Sequence, residues 1–463
     1  MFTEFPGWQH IGDEEWKRQA VQNLKEMIVQ YRNHPSIILW GVRINESQDD
    51  DVFYRETNRV AHELDDTRAT GGVRMLKKSH LLEDVYTYND FLHDGRHPGC
   101  NPKRKVTPDM KKPYLISEYN GHMFPTKPFD DEEHRTEHAI RHANVLNAVA
   151  QEPDIAGSFG WCMFDYNTHK DFGSGDRICY HGVMDMFRNP KLAAAVYSSQ
   201  QEDTPVLELS SSMDIGEHPG GNRSGNWMIT NADAVRMYKN SKLIKEYHRE
   251  DSPYRALAHG PIPVNDFIGN AIVENEPMKP KQARLIGQLL NMTAYYGLHN
   301  LPAKFYLLAL RLMVCYHMKP KDAVALYTRY VGDWGTTSTV YKFEAVRDGK
   351  VVKTVIKEPM QQAHLEVKVS AHNLTEGRTY DMAAVRIRAL DENGNVLGIF
   401  CNEPVQFEVK GVLELIGPKT ICLQGGMGGT YVKTTGQAGE GILTIENAQT
   451  GKICEHFQVA REE

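Results

Sequence analysis

The chain has 463 residues, 41% hydrophobic and 24% charged, the composition of a folded globular protein with, at about 150 residues per domain, roughly three cores. Its net charge of −7, without any Lys/Arg block, excludes the clustered positive field that nucleic acid or an anionic membrane surface would need. No stretch approaches the roughly 18 apolar residues of a membrane span, and no signal-type segment opens the chain, so a cytoplasmic location is expected.

Residues 13–33 carry the pattern of a helix. Asp13 is a good N-cap, Glu14 and Glu15 suit the positive N-terminus, and Trp16, Ala20, Val21, Leu24, Met27, Ile28 and Tyr31 recur at helical spacing. Asn33-His34-Pro35 ends it, and Ser36 to Val42 follows as a strand apolar on both faces, as a covered parallel strand must be. A helix over about 50–64 then leads to a short segment near 67–73. A second short helix is expected before the strand Asp84 to Tyr88. A polar loop at 93–112 with Pro98, Pro102 and Pro108 separates it from the strand Tyr114 to Ser117, and a helix at about 131–151 feeds a last strand, Ile155 to Phe164.

Alternating strands and helices indicate a parallel α/β architecture, and candidate catalytic groups at strand C-terminal ends favour a (β/α)8 TIM barrel over 1–200. A doubly wound sheet would show a Gly-rich phosphate loop after its first strand, and none is present. From 201 to 363 short strands at Trp227 to Thr230, Ala234 to Tyr238 and Lys242 to Tyr247 indicate an immunoglobulin-like β-sandwich. It is interrupted by a helical insertion at about 255–332 and resumes around the hairpin turn Arg347-Asp348-Gly349-Lys350. Alternating strands with regular turns, among them Asp391-Glu392-Asn393-Gly394, indicate a second immunoglobulin-like sandwich over 364–463.

The dipeptide Asn45-Glu46 follows one buried strand and Glu118 ends another. Glycoside hydrolysis needs one carboxylic acid to protonate the departing oxygen and a second carboxylate to stabilise or attack the oxocarbenium-like carbon, and two strands of one barrel would place such a pair across its mouth. A separation of about 5 to 5.5 Å would mean retention of configuration and about 6.5 to 9.5 Å inversion. A Glu at a strand end is also a common solvated loop residue.

The strings FPGWQHIGDEEW, RNHPSIILWGVRINES, KPYLISEYNGH and GSFGWCMFDY, in this order, resemble the barrel signatures of glycoside hydrolase family 2, which holds β-galactosidases, β-glucuronidases and β-mannosidases. The resemblance implies that Glu46 is the general acid/base, Glu118 the nucleophile of a retaining mechanism, and Asn45 the partner of the sugar 2-hydroxyl. It also implies substrate contacts for Trp161, Tyr88, Asn89 and His122. Trp161 has core packing as its alternative, His122 a surface or structural role, and the match around Tyr88 is loose. A glucuronidase-type Asn-x-Lys is absent, because Asn167 to Lys170 has one residue too many, so a neutral sugar is favoured and the arrangement looks more like a β-galactosidase.

The family needs neither nicotinamide nor phosphate, and no cofactor is expected. Some of its β-galactosidases bind Mg or Na near the site, but the ligand-bearing segments are unmatched here. The resemblance begins at the end of the family's third barrel strand, at Met1 to Trp8. The expectation is therefore an incomplete barrel: a truncated gene product, an incomplete gene model, or a chain that pairs with a complementing N-terminal fragment or with a second copy as a homo-oligomer. The competing functions are β-glucuronidase or β-mannosidase activity within the same family, or a noncatalytic carbohydrate-binding or assembly protein.

Three further features read as structural. The seven cysteines (Cys100, Cys162, Cys179, Cys315, Cys401, Cys422, Cys454) lack a CxxC and read as reduced thiols without a zinc site. His134, His138 and His142 share one helix face, where interleaved Glu133, Glu137 and Arg141 favour a solvated surface over a metal site. Gly425, Gly426, Gly428 and Gly429 lack the Lys-Ser/Thr of a phosphate loop and read as a turn in a β-domain.

Overall fold

The computed structural model describes residues 1–95, 99–169, 175–214, 225–332, 338–398, 400 and 403–462; Pro98, Lys170 and Cys401 therefore lie outside the described residues. The chain divides into two compact units, residues 1–125 with 141–163 and residues 126–140 with 164–463.

The first unit opens with strand β1 (Phe2–Glu4) and helix α1 (Glu14–Tyr31). The Asp13 side chain accepts a hydrogen bond from the Trp16 N–H at 3.0 Å, and Ala20, Leu24 and Ile28 form the buried stripe of the helix. Strand β2 (Leu39–Gly41) is buried throughout and pairs in parallel with β1 on one side and with β3 (Ala69–Gly71) on the other. Helix α2 (Asp51–Leu64), capped by Asp50, connects β2 to β3. Strand β4 (Tyr86–Asn89) and strand β5 (Tyr114–Glu118) pair in parallel in turn.

The ladder continues beyond these strands. The Val85 N–H donates to Thr70 O at 3.0 Å, joining β3 to β4. Extended segment 156–161 pairs with β5 through Ile116 N–H to Gly157 O at 3.0 Å and Phe159 N–H to Ile116 O at 2.9 Å. Parallel segments thus follow one another in sequence order, the arrangement that alternating strands and helices predict.

One local expectation fails here. No helix forms between β3 and β4; instead the wholly buried Arg74 guanidinium pairs with Glu83 and also donates to Ser79 Oγ at 3.0 Å and His80 O at 3.0 Å. Those side-chain bonds fold residues 74–83 as a loop, where a helix would pull the partners apart. Part of the polar loop after β4 is pinned by side-chain bonds. Asp90 accepts from the Asn101 N–H at 2.7 Å and from its side chain at 2.9 Å, and a short helix, α3 (Lys103–Val106), buries Val106.

Helix α4 (Glu132–Gln151) has its first half in the second unit and its second half in the first. His138 and His142 are buried at 3% and 1% exposure, so the face they share is not the solvated one, and the His142 ring meets Tyr119 edge-on at 6.0 Å. Charge in the sequence around them belongs to neighbouring faces of the same helix.

In the second unit, strands Ala234–Lys239, Lys242–His248, Tyr341–Arg347 and Lys350–Lys357 form an antiparallel sheet, and Leu207–Leu209, Trp227–Thr230 and Ile262–Pro263 form another. The 347–350 hairpin closes with Asp348 and Gly349 both at positive φ, 50° and 73°, as a two-residue turn between twisted strands requires. Between Ile262–Pro263 and Tyr341–Arg347 lie the helices Pro280–Tyr296, Ala303–Tyr316 and Pro320–Tyr330. Their Ile286, Leu290, Phe305 and Leu312 share one apolar core with Val235, Met237 and Phe343 of the strands.

Further along, strands from His364 to Arg461 form two more sheets, of four and five strands, around a core that includes Val385, Ile387, Val405, Leu443, Ile445 and Phe457. Gly425 and Gly426, at φ 58° and 74°, make the turn that enters strand Met427–Thr434. None of the described cysteines is disulfide-bonded. No helix among the described residues is long and apolar enough to cross a membrane.

Candidate active site

The site lies entirely in the first unit, at the C-terminal ends of its parallel strands. Parallel pairing brings Asn89 opposite Glu118, and the Asp90 N–H bonds Glu118 O at 2.8 Å. Segment 42–46 is held from both sides: Gln9 N–H donates to Asn45 O at 2.7 Å and Glu46 N–H to Val73 O at 2.9 Å. Glu46 itself sits at φ 57°, in the left-handed region that a non-glycine residue seldom occupies.

Side chains then join the two glutamates through two amides. Asn45 Nδ2 donates to Glu118 Oε1 at 3.4 Å, while Asn89 Nδ2 donates to Glu46 Oε1 at 3.1 Å and to Asn45 Oδ1 at 3.3 Å. Ser117 Oγ donates to Asn89 Oδ1 at 2.9 Å, which fixes which end of that amide faces the carboxylates. The second oxygen of Glu46, Oε2, accepts from Trp8 Nε1 at 3.0 Å and from Gln9 Nε2 at 3.3 Å.

A pocket of about 360 Å3 opens beside this network, lined among others by Glu4, Asn45, Ser117, Glu118 and Trp161. Trp161 reaches it because segment 156–161 pairs with the end of β5: its N–H bonds Tyr119 O at 3.0 Å and its carbonyl accepts from Gly121 N–H at 2.8 Å. A Cβ on Gly121 would stand 2.5 Å from Trp161 Cδ1, and that residue is at φ +53°, so glycine is needed there on both counts.

Burial, more than anything else, pushes the Glu118 carboxyl up to about 8. The neighbouring charges of Glu4 and Glu46 add to the rise, and the amide donors of Asn89 and Asn45 oppose it. Glu4 lines the same pocket, and desolvation by the protein around its carboxyl pushes it up to about 7.

Of the residues singled out from the sequence, Asn45, Glu46, Asn89 and Glu118 form the network and Trp161 lines the pocket. Tyr88 is not brought to it. As the strand neighbour of Asn89 it faces the other way, buried near Tyr114 and Asp90, where desolvation pushes its hydroxyl up to about 12. His122 is exposed in a single 3-10 turn, its ring 4.9 Å from Phe91, and does not join the carboxylates. Trp8, Gln9, Ser117 and Glu4 are site residues that sequence reasoning missed, although Trp8, Gln9 and Ser117 lay inside strings singled out there and Glu4 in the segment Met1 to Trp8.

Among the described residues no group of three His, Cys, Asp or Glu side chains is disposed to hold a metal ion.

Comparison with known proteins follows the same lines. Residues 4–205 match the model of the glycosyl hydrolases family 2 TIM barrel domain. The chain is 39% identical over 431 residues to a β-galactosidase of Thermoanaerobacterium thermosulfurigenes, covering 92% of this chain and 52% of that protein. It is 34% identical over 405 residues to a β-galactosidase of Rhizobium meliloti, covering 84% and 45%. Among solved structures, a β-glucuronidase from glycoside hydrolase family 2 aligns with a TM-score of 0.61 at 14% identity, over 100% of this chain and 42% of that one. A β-glycosidase from Bacteroides vulgatus aligns with a TM-score of 0.60 at 15% identity, over 98% and 55%. The fold is a TIM barrel with β-rich domains, and the chain spans about half the length of the curated relatives it matches.

Proposed function

The chain belongs to glycoside hydrolase family 2, and from that premise we propose that it is the catalytic part of a retaining β-glycosidase of the β-galactosidase type, acting on terminal β-linked neutral sugars. The observation that carries the reading is the pair of amides, Asn45 and Asn89, that ties Glu46 and Glu118 into one network across the C-terminal ends of β2, β4 and β5. The segments β1 to β5 and 156–161 are read as consecutive strands of a (β/α)8 barrel, and the paired sheets of the second unit as immunoglobulin-like sandwiches.

In this reaction Glu118, as carboxylate, attacks the anomeric carbon while Glu46 gives its proton to the departing oxygen. Glu46 then takes a proton from water, which attacks from the face the leaving group vacated and expels Glu118, so the two inversions together retain configuration. Trp8 and Gln9 hold one oxygen of Glu46 and Asn89 the other, and Asn45 stands beside the nucleophile where a sugar 2-hydroxyl would sit.

Hydrolysis of an aryl β-galactoside, followed by NMR of the first-formed anomer, tests the reading; an inverted product, or full turnover by Glu118→Gln, would overturn it. Because Glu118 must be ionised and the free protein pushes it up to about 8, kcat/KM should rise with pH through that value on its acid side.

A further inference from the structure

Within the second unit lies another pocket, of about 130 Å3, that the mechanism above does not use; Asn189, Pro190, Glu366, Lys368, Arg386 and Arg388 line it. Its floor is one face of two antiparallel strands, His364–Val369 and Met382–Leu390. Glu366 stands opposite Arg388 and Lys368 opposite Arg386, while Leu365, Val385 and Ile387 at the alternate positions turn into the apolar core. Its wall is the loop 185–190. Asp185 Oδ1 accepts from the Phe187 and Asn189 N–H groups at 2.9 and 2.8 Å, and the buried Asn189 side chain donates to Gly428 O at 2.9 Å. A Cβ on Gly429 would stand 2.7 Å from Phe187 Cγ, so that glycine lets the loop seat against strand Met427–Thr434, the neighbour of Met382–Leu390.

The charges on this floor do not cancel. Glu366 accepts from Arg388 Nε at 2.7 Å and pairs with Lys368 at 3.0 Å, so one carboxylate serves two cations. Arg386 makes no ion pair among the described residues; its guanidinium donates to the Arg188 carbonyl at 3.4 Å, which holds it without neutralising it. Three cations against one carboxylate leave two positive charges round a small pocket. We propose that the pocket binds a doubly charged oxyanion of the phosphate type, with Arg386 as its principal donor. A guanidinium presents paired N–H groups in the geometry that phosphate oxygens accept, and it cannot lose its charge. The anion enters as the free ion or as the ester of a saccharide whose ring stays outside. No residue of the first unit lines the pocket, so the proposal stands apart from the glycosidase reading.

The test is calorimetric binding to the whole chain of inorganic phosphate, a hexose 6-phosphate and the parent hexose. Ionic strength is held constant with chloride, and the pH is about 8, above the second pKa of about 6 of a phosphate ester. At least one of the two phosphates should bind with a Kd of about 10 mM or tighter. Arg386→Gln should weaken that binding by about tenfold or more, because a charge-assisted donor is lost. Glu366→Gln should strengthen it by about threefold or more, because the carboxylate of the lining is gone; a pocket whose charges serve only to hold the sheet together would show the opposite. Lys410→Gln, at an exposed cation of strand Pro404–Gly411 outside the lining, should leave it within about twofold.

Tighter binding of the hexose phosphate than of inorganic phosphate would identify an ester as the source, and equal or weaker binding the free ion; both outcomes support the pocket. Absence of binding by either phosphate at about 10 mM would overturn the proposal without the need for any variant. So would unchanged affinity in a folded Arg386→Gln, weaker binding in Glu366→Gln, or a hexose phosphate that binds no better than the parent hexose while inorganic phosphate does not bind. An equal loss in Lys410→Gln and Arg386→Gln would also overturn it, as the mark of a diffuse surface field.

Discussion

The parallel-stranded first unit and the sheets of residues 364–461 solve burial in opposite ways. The first buries Arg43, Arg74, Glu83, Asn89, Asp90 and Ser117 at the ends of and between its strands, whereas the second closes over Val385, Ile387, Val405, Leu443, Ile445 and Phe457. An apolar core is stable however its neighbours vary, provided volume and alternation are kept. A buried polar network is stable only when each group keeps its partner, and it persists where those groups have something to do. The contrast places the chemistry in the first unit before any mechanism is considered.

The sharpest break is catalytic. Glu118→Gln should lower kcat on an aryl β-galactoside by about a thousandfold or more, roughly 4 kcal/mol of barrier, while leaving the far-ultraviolet circular dichroism unchanged. Next comes Glu83→Ala, which strands Arg74 as a buried unpaired charge and should cost about 3–5 kcal/mol in urea unfolding of the first unit. Ile387→Ala in the apolar core should cost about 3 kcal/mol, confined to the transition of the second unit. Equal costs for Glu83→Gln and Glu83→Ala would blur the comparison, since the amide keeps shape and hydrogen bonds but removes charge.

A pH series sharpens it further. Glu118 has a folded pKa near 8, above the 4.5 of an unperturbed glutamate, so between these values the folded chain holds more protons than the unfolded one. Stability of the first unit should therefore fall as pH rises through that window, and Glu118→Gln should remove that part of the fall. The sheets of residues 364–461 should show no matching step. The smallest effect expected is that of Asp13→Ala, which removes the cap of α1 and should cost about 1 kcal/mol by thermal unfolding.

Much of this was legible from local pattern. Helix α1 follows from Asp13 and a 3.6-residue period, and Glu46 and Glu118 stand out as carboxylates after apolar strands. What failed depended on partners far along the chain. Trp8 reaches Glu46 across 38 residues, a contact set by the parallel pairing of β1 with β2 and invisible in either segment alone. Tyr88 and Asn89 are adjacent in sequence, yet one step along a strand sends their side chains to opposite faces, so a loose match could not say which of them serves the site. The helix expected before β4 gives way to the Arg74–Glu83 pair, and the histidine face of α4 is buried because its packing, not the charge interleaved with it, decides which side turns inward.

Glu46 in its left-handed backbone has a consequence for how such a protein changes over generations. Asn or Gly would occupy φ 57° with less strain, so a substitution at this position could raise folding stability by up to about 1 kcal/mol while removing the acid/base. A laboratory selection for heat resistance alone would drift toward that exchange, and one that also demands turnover would refuse it. Which residue survives at position 46 under each regime thus reports whether selection acts on the fold or on the reaction.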